Sequence, residues 1–250
     1  MKFKELKKVY IIAELSGNHN GSIGNAIEAI RAAKRVGADA IKFQTYTADT
    51  MTLDCNNKDF LLSQGTIWDG QYLHDLYKKA FTPWEWHEEL FHTAKEEGID
   101  CFSTPFDSTA VDFLESLDNP IYKVASFEIT DIPLIEYIAS KGKPMIISTG
   151  IANFEDIELA LNTCKKMGNN EVALLKCTSS YPAPMEEANL CMIKDLSKRF
   201  GVTAGLSDHT LGITAPIVAV TQGAKIIEKH FILDHSIGGP DASFSDRKSV

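Results

Sequence analysis

The sequence predicts an α/β protein of the TIM (β/α)8 barrel class. Eight short apolar runs typical of strands alternate with seven longer amphipathic runs typical of helices, and no series of tight hairpin turns joins the strands. The length of 250 residues also fits, because a single barrel needs about 250. The alternative is an eight-stranded doubly wound sheet, but no GxGxxG follows the first strand, which argues against a dinucleotide-binding version.

The predicted strands all run in one direction, because each is separated from the next by enough chain for a helix. Their polar C-terminal ends should therefore meet at one mouth of the barrel, where the active sites of such barrels lie. We predict strands over residues 9–13, 40–44, 100–103, 121–125, 144–148, 172–176, 202–206 and 225–228.

Seven predicted helices lie between the strands. Ser22 is the predicted N-cap of the first helix, Gly37 follows its last turn, and Pro83 is placed as the first residue of the second helix. The segment 46–81 is an insertion that should shape the substrate site. Residues 232–250 show no helical periodicity, so the final helix of the barrel is predicted to be missing. The seven helices are predicted over residues 22–36, 83–97, 108–116, 133–140, 154–167, 188–200 and 212–222.

Composition restricts the class of function. The net charge of -9 argues against a nucleic-acid surface, although a local basic pocket could still bind an anionic small molecule. The five cysteines show no CxxC spacing, which favours free thiols in a reducing cytoplasm. The apolar run before Glu14 is too short for a signal peptide or a membrane span. We therefore expect a cytoplasmic protein with no membrane partner.

Two histidines predict a metal site. His209 and His230 follow the predicted strands 202–206 and 225–228, which a helix joins, so the strands should be parallel and adjacent. Both imidazoles would then lie at one end of the sheet, within reach of one divalent metal ion. The alternative is that each histidine only makes hydrogen bonds within the fold.

Buried lysines predict an anionic substrate. Lys42 and Lys123 lie in apolar strands, where an ammonium group is costly unless an anion meets it. Glu14 follows the first strand and could act as a general acid or base. Hydroxyl groups at the other strand ends, together with helix N-termini, are suited to a phosphate. The hydroxyl residues at these strand ends include Ser103, Thr104, Ser126, Ser148, Thr149, Thr178, Ser179 and Ser207.

Nine motifs in order along the chain resemble the sialic acid synthase family, whose catalytic barrels condense phosphoenolpyruvate with an N-acetylated sugar aldehyde. Within that family, residues 65–86 and 125–128 look most like the pseudaminic acid synthase branch. The motifs are AELSGNHNGS (13–22), IKFQTYTAD (41–49), FSTPFD (102–107), YKVASFEIT (122–130), STGIA (148–152), LKCTSSYPAP (175–184), GLSDHT (205–210), IEKHF (227–231) and GGPD (238–241).

The resemblance implies roles for residues at the strand ends. His209 and His230 would hold manganese, or magnesium or cobalt in its place, and Glu14 would be the general acid/base. The phosphate and carboxylate of phosphoenolpyruvate would be bound by Lys42, Thr104, Lys123, Ser126, Ser148 and Ser207, with Ser179 standing where some members have an Asn. The positions near the sugar or the metal-bound water would be Gln44, Phe106, Glu128, Tyr181 and Asp241.

The resemblance also implies a reaction. The metal would polarise the sugar aldehyde for attack by the enol carbon, and water deprotonated by Glu14 would then add and release phosphate, leaving a nine-carbon 2-keto acid such as pseudaminic acid. The alternatives are an N-acetylneuraminic or legionaminic acid synthase, a barrel that binds phosphoenolpyruvate without turnover, and a Schiff-base aldolase using Lys123 or Lys176.

Family members continue into an eighth helix and a small antifreeze-like domain that covers the partner subunit's active site. Residues 246–250 match no family motif. We therefore expect residues 1–250 to hold the catalytic barrel alone, and any homodimer to use surfaces of the barrel.

Overall fold

The computed structural model, which describes residues 1–63 and 65–247, is a closed barrel of parallel strands. The strands pair in chain order, and the first also pairs with the eighth, so the sheet closes on itself. The predicted TIM barrel is therefore confirmed. Its strands are β1 Tyr10–Glu14, β2 Ala40–Thr45, β3 Asp100–Pro105, β4 Tyr122–Val124, β5 Met145–Ser148, β6 Val172–Cys177, β7 Thr203–Asp208 and β8 Ile226–Ile232, with a short β9, Asp246–Arg247, alongside β8.

Nine α-helices occur in the described residues. Seven correspond to the predicted helices, and the other two, α2 and α3, lie in the long insertion after β2. None of these helices combines the length and apolar character needed to cross a lipid bilayer. The helices are α1 Ile23–Arg35, α2 Ala48–Met51, α3 Leu73–Ala80, α4 His87–Glu97, α5 Ser108–Ser116, α6 Ile132–Ser140, α7 Phe154–Lys166, α8 Met192–Phe200 and α9 Thr214–Thr221.

Two of the three predictions made for helix ends are confirmed, those for Ser22 and Gly37. The Ser22 hydroxyl accepts a hydrogen bond from the Asn25 amide, as an N-cap does, and Gly37 follows α1 with a positive φ of 89°. The prediction for Pro83 was wrong. Its carbonyl accepts from the Trp86 amide and closes a 3-10 turn, so α4 begins only at His87.

Side chains alternate between the inside and outside of the barrel along each strand. The lower half of the interior is filled by apolar residues, and Phe3 from the N-terminal segment packs against them. The N-terminal end of the barrel is therefore closed. These interior residues are Tyr10, Ile12, Ala40, Phe102, Ile121, Ile146, Ala173, Leu175 and Ile226.

Gly205 on β7 is required by close packing in this interior. A Cβ at that position would lie 2.2 Å from the backbone oxygen of Ile226 and 2.8 Å from Leu175 Cδ2. The absence of a side chain lets β7 approach β8 closely, and these are the strands that place the two histidines.

The chain after β8 covers part of the barrel mouth. Two 3-10 turns, His235–Ile237 and Ala242–Phe244, lead to β9, and no α-helix occurs in residues 233–247. The predicted absence of the closing helix is confirmed for these residues, whereas residues 248–250 lie outside the described part. We call residues 238–247 the C-terminal strap.

Candidate active site

The interior of the barrel changes from apolar to ionisable towards the C-terminal mouth. Glu14 lies level with Lys42 on β2 and with His230 on β8 in the strand register. His230 lies within β8 rather than after it, because β8 runs four residues beyond the predicted end, to Ile232. All three side chains are buried. These three side chains therefore meet at the C-terminal mouth of the barrel, where the sequence predicts them.

Each buried lysine is paired with a glutamate. Lys42 Nζ makes an ion pair with Glu14, lies 3.8 Å from Glu228 Oε2 and donates to Thr104 Oγ1 at 3.0 Å. Lys123 Nζ lies 3.5 Å from Glu228 Oε1. From the sequence we expect an external anion to meet these ammonium groups. In the structure, carboxylates of the chain itself pair with the ammonium groups. This costs less free energy than burying the ammonium groups without a partner.

Glu228 was missed by the sequence analysis. Its side chain is 7% exposed, and its Oε1 accepts from the Ser207 hydroxyl at 2.9 Å. Burial acts to raise the pKa of Glu228, but Lys123 and Lys42 outweigh burial, so its pKa is lowered. The available signal was strand parity, because Glu228 lies two residues before His230 and must face the same side.

Glu14 behaves differently from Glu228. Burial raises the pKa of Glu14, the Lys42 ammonium opposes this, and the charge of Glu228 adds to it, so the net direction is upward. Its Oε1 accepts from the Ser16 amide at 3.1 Å. The pair therefore contains one carboxyl that holds a proton more readily and one that stays ionised.

The two histidines lie side by side. Their ring centroids are 5.3 Å apart, and His209 Nδ1 lies 2.9 Å from the Thr178 carbonyl, which leaves Nε2 as the free ring nitrogen of His209. His230 Nδ1 is 3.9 Å from Asp241 Oδ2 and is a buried atom without a hydrogen-bond partner among the described residues. Burial, followed by the neighbouring His209, lowers the pKa of His230 well below its usual value.

This pair fits a metal ion. A buried, neutral imidazole with an unpartnered nitrogen is the form that ligates divalent cations. Residues 1–63 and 65–247 contain no group of three or more His, Cys, Asp or Glu side chains arranged to hold a metal. His209 and His230 are the two side chains that would hold a metal here.

Serine hydroxyl groups lie at the C-terminal ends of β4, β5 and β6. The Ser148 hydroxyl is buried without a hydrogen-bond partner in the described chain, and the Gly150 amide donates to Ser126 Oγ at 2.7 Å. A Cβ on Gly150 would lie 2.3 Å from Ser179 Oγ and 2.6 Å from Ser126 Oγ. The glycine thus lets hydroxyls from the ends of β4, β5 and β6 come together, as an oxyanion ligand requires.

The residues assigned to the sugar end occupy different parts of the mouth. Tyr181 packs on His209, with ring centroids 4.3 Å apart, and Asp241 accepts from the Gly17 amide at 3.3 Å. Burial raises the pKa of Asp241 and also that of the half-buried Glu128. Gln44 pairs in register with Thr104, and Phe106 packs edge to face on Tyr46.

Lys176 is not part of the interior. Leu175 and Cys177 face inward, so Lys176 faces the helices, and its ammonium donates to Thr178 Oγ1 and the Cys177 carbonyl, each at 2.7 Å. The Schiff-base alternative that used Lys176 has no support from this geometry. Lys123 does face the interior, but its ammonium is beside Glu228.

The family is shown by comparison with known proteins. A model described as the NeuB family matches residues 29–249. The chain belongs to the NeuB family. It is 49% identical over 243 residues to the pseudaminic acid synthase of Campylobacter jejuni, covering 97% of this chain and 71% of that protein. The pseudaminic acid synthase of Helicobacter pylori is also 49% identical, covering 94% of this chain and 69% of that protein.

More distant relatives agree with this placement. The N,N'-diacetyllegionaminic acid synthase of Legionella pneumophila is 41% identical over 237 residues, covering 93% of this chain and 66% of that protein. Among solved structures, the sialic acid synthetase of Leptospira borgpetersenii in complex with citrate superposes with a TM-score of 0.87 at 34% identity, covering 97% of this chain and 79% of that one.

Proposed function

We propose that this NeuB family member is a pseudaminic acid synthase. It condenses phosphoenolpyruvate with an N-acetylated amino-sugar aldehyde and yields a nine-carbon 2-keto acid and phosphate. The observation that supports this best is the convergence of Lys42 and Lys123 with His209 and His230 at one mouth. It occurs in a chain that is 49% identical to curated pseudaminic acid synthases over most of its length.

Phosphoenolpyruvate binds beside the lysines in this proposal. Lys42 and Lys123 attract its carboxylate and phosphate, and the hydroxyl of Ser148, which is buried and unpartnered in the described chain, donates to an oxygen of the ligand. Glu228 stays ionised and holds both amino groups in place. It raises the pKa of both lysines, although burial leaves the pKa of Lys123 lowered on balance. When the C–O bond to phosphate breaks, the same ammonium groups stabilise the departing anion.

Glu14 is the general acid/base in this proposal. Its carboxyl lies next to Lys42, so its protonation state responds to any anion that binds there. In the carboxylate form it can take a proton from the water that adds to the central enol carbon. A divalent metal bound by His209 and His230 would supply Lewis-acid polarisation of the sugar aldehyde.

The choice of sugar follows from the relatives. Identity is 49% to the pseudaminic acid synthase of Campylobacter jejuni and 41% to an N,N'-diacetyllegionaminic acid synthase, but 35% to the N-acetylneuraminate-9-phosphate synthase of Mus musculus. This order supports a diacetamido-trideoxy sugar as the substrate. Manganese as the metal, the cytoplasmic location, the homodimer and the absence of an antifreeze-like domain stay predictions of the sequence analysis. Metal reconstitution, cell fractionation, gel filtration and the full reading frame would test them.

The test is phosphate release with a diacetamido-trideoxy sugar and with N-acetylmannosamine, each with manganese and with a chelator. We expect release only when phosphoenolpyruvate, sugar and metal are all present. His230→Ala should lose manganese affinity, measured directly by calorimetry, while circular dichroism stays unchanged. If the protein binds phosphoenolpyruvate but releases no phosphate under any condition, the non-catalytic alternative replaces the proposal. If activity is complete in the presence of a chelator, the reaction does not need a metal.

A further inference from the structure

Three aromatic side chains cover the imidazole pair. The Phe244 ring lies 4.9 Å from that of His230 and 5.4 Å from that of Tyr181, and the Trp68 ring lies 5.7 Å from Tyr181 and 6.4 Å from Phe244, all between centroids. We call Trp68, Tyr181 and Phe244 the aromatic wall. A ligand bound at His230 on the side that Phe244 covers would contact the Phe244 ring.

Phe244 is held in position by hydrogen bonds of the C-terminal strap. Asn18 Nδ2 donates to Ser245 Oγ at 2.8 Å, and Ser245 Oγ donates to the Asp241 carbonyl at 2.7 Å. Trp68 Nε1 donates to the Pro240 carbonyl at 2.8 Å. Phe244 is 1% exposed, so these hydrogen bonds hold a buried side chain beside His230.

Two members of the wall, Phe244 and Trp68, present carbon to the site, whereas Tyr181 also carries a hydroxyl. Phe244 has no polar atom, and the indole N–H of Trp68 is already bonded to the strap. A sugar hydroxyl placed against these two rings would lose its water without gaining a partner, whereas a methyl or acetamido methyl group would bury apolar surface.

We propose that Phe244, backed by Trp68, is a specificity-determining residue that selects amino sugars bearing deoxy or acetamido groups over more hydroxylated ones. This inference rests on the proposed function, because it names the sugar class for the same site. An apolar pocket of this kind discriminates by about tenfold to hundredfold when one substituent differs.

The test is the ratio of kcat/KM for a diacetamido-trideoxy hexose to that for N-acetylmannosamine. The ratio does not depend on the fraction of folded enzyme, so a partly unfolded variant is still informative. We expect Phe244→Ser to lower the ratio at least about tenfold and Phe244→Leu, which stays apolar, to keep most of it. Phe113→Ala is the matched control, because Phe113 stacks on Trp84 instead of the wall.

Each outcome has one meaning. A wild-type enzyme that does not discriminate, or a ratio unchanged in Phe244→Ser, overturns the role of Phe244 and leaves the proposed function standing. A similar drop in Phe113→Ala would show that the effect is a general loss of packing, which also overturns it. Failure of the wild type to release phosphate with either sugar contradicts the proposed function itself.

Discussion

At the scale of single residues, two buried glutamates beside two buried lysines differ in the direction of their pKa values. Glu228 is near both Lys42 and Lys123, and these charges lower its pKa. The pKa of Glu14 is raised, mainly because the group is buried. One carboxyl is thus suited to hold charge and the other to exchange protons, a division common in enzymes that use acid–base chemistry near neutral pH.

Replacing Glu14 by Gln should lower kcat by about 10²–10⁴-fold, the usual contribution of a general acid/base. Affinity for phosphoenolpyruvate should be retained or improved, because one negative charge beside Lys42 is removed. Phosphate release and calorimetry measure the two quantities separately. The exposed Glu136→Gln is the control, and unchanged kcat in Glu14→Gln would contradict the assigned role.

Replacing Glu228 by Gln should destabilise the free protein by about 3 kcal/mol, because two buried ammonium groups lose their common counter-ion. Phosphoenolpyruvate should restore part of the loss by providing another anion. Urea unfolding with and without the ligand measures both effects, and equal stability of variant and wild type would contradict this account.

The same variant makes a prediction about pH. The folded pKa of Glu228 is below its unfolded value, so its ionised form stabilises the fold above the unfolded pKa of about 4.3. That contribution is lost as the pH falls towards the lowered folded value. The difference in free energy of unfolding between wild type and Glu228→Gln should therefore be largest near neutral pH and shrink below about pH 4.

At the scale of elements, the contact of β7 with β8 depends on Gly205, since a Cβ there would meet the Ile226 carbonyl. We expect Gly205→Ala to cost about 1–3 kcal/mol through strand displacement. Gly24→Ala is the matched control in α1, where the nearest atom to the new Cβ is Ser22 Oγ at an ordinary 3.6 Å. That substitution should be neutral or slightly stabilising. Thermal unfolding distinguishes the pair, and equal effects would contradict the packing argument.

The elements also show what the sequence could and could not predict. Strand parity and helix caps are local, so the eight strands, the Ser22 cap and the inward positions of Lys42 and His209 were all accessible. The Trp68–Pro240 hydrogen bond joins positions 172 residues apart, and no periodicity records such a contact. The pairing of Glu228 with both lysines was missed for the same reason: it depends on three different strands meeting after closure.

At the scale of the whole molecule, the barrel interior is divided into an apolar lower half and an ionisable upper half. Apolar packing below excludes water from the lysine and glutamate cluster, which strengthens its charge interactions. This division could be anticipated from the polar strand ends. Its consequence for pKa values could not, because opposing effects of burial and neighbouring charge must be summed over the folded geometry.

In the described part of the chain, Phe3 and the apolar residues around it fill the N-terminal end of the barrel, so ligands would enter from the C-terminal mouth. Lys123 and Glu228 lie farther inside than the Phe244 ring that covers His230. We therefore expect ordered kinetics, in which the enol phosphate binds before the sugar and the sugar acid is released before the phosphate. Product-inhibition kinetics would reveal this order, and a random pattern would require a second opening into the barrel.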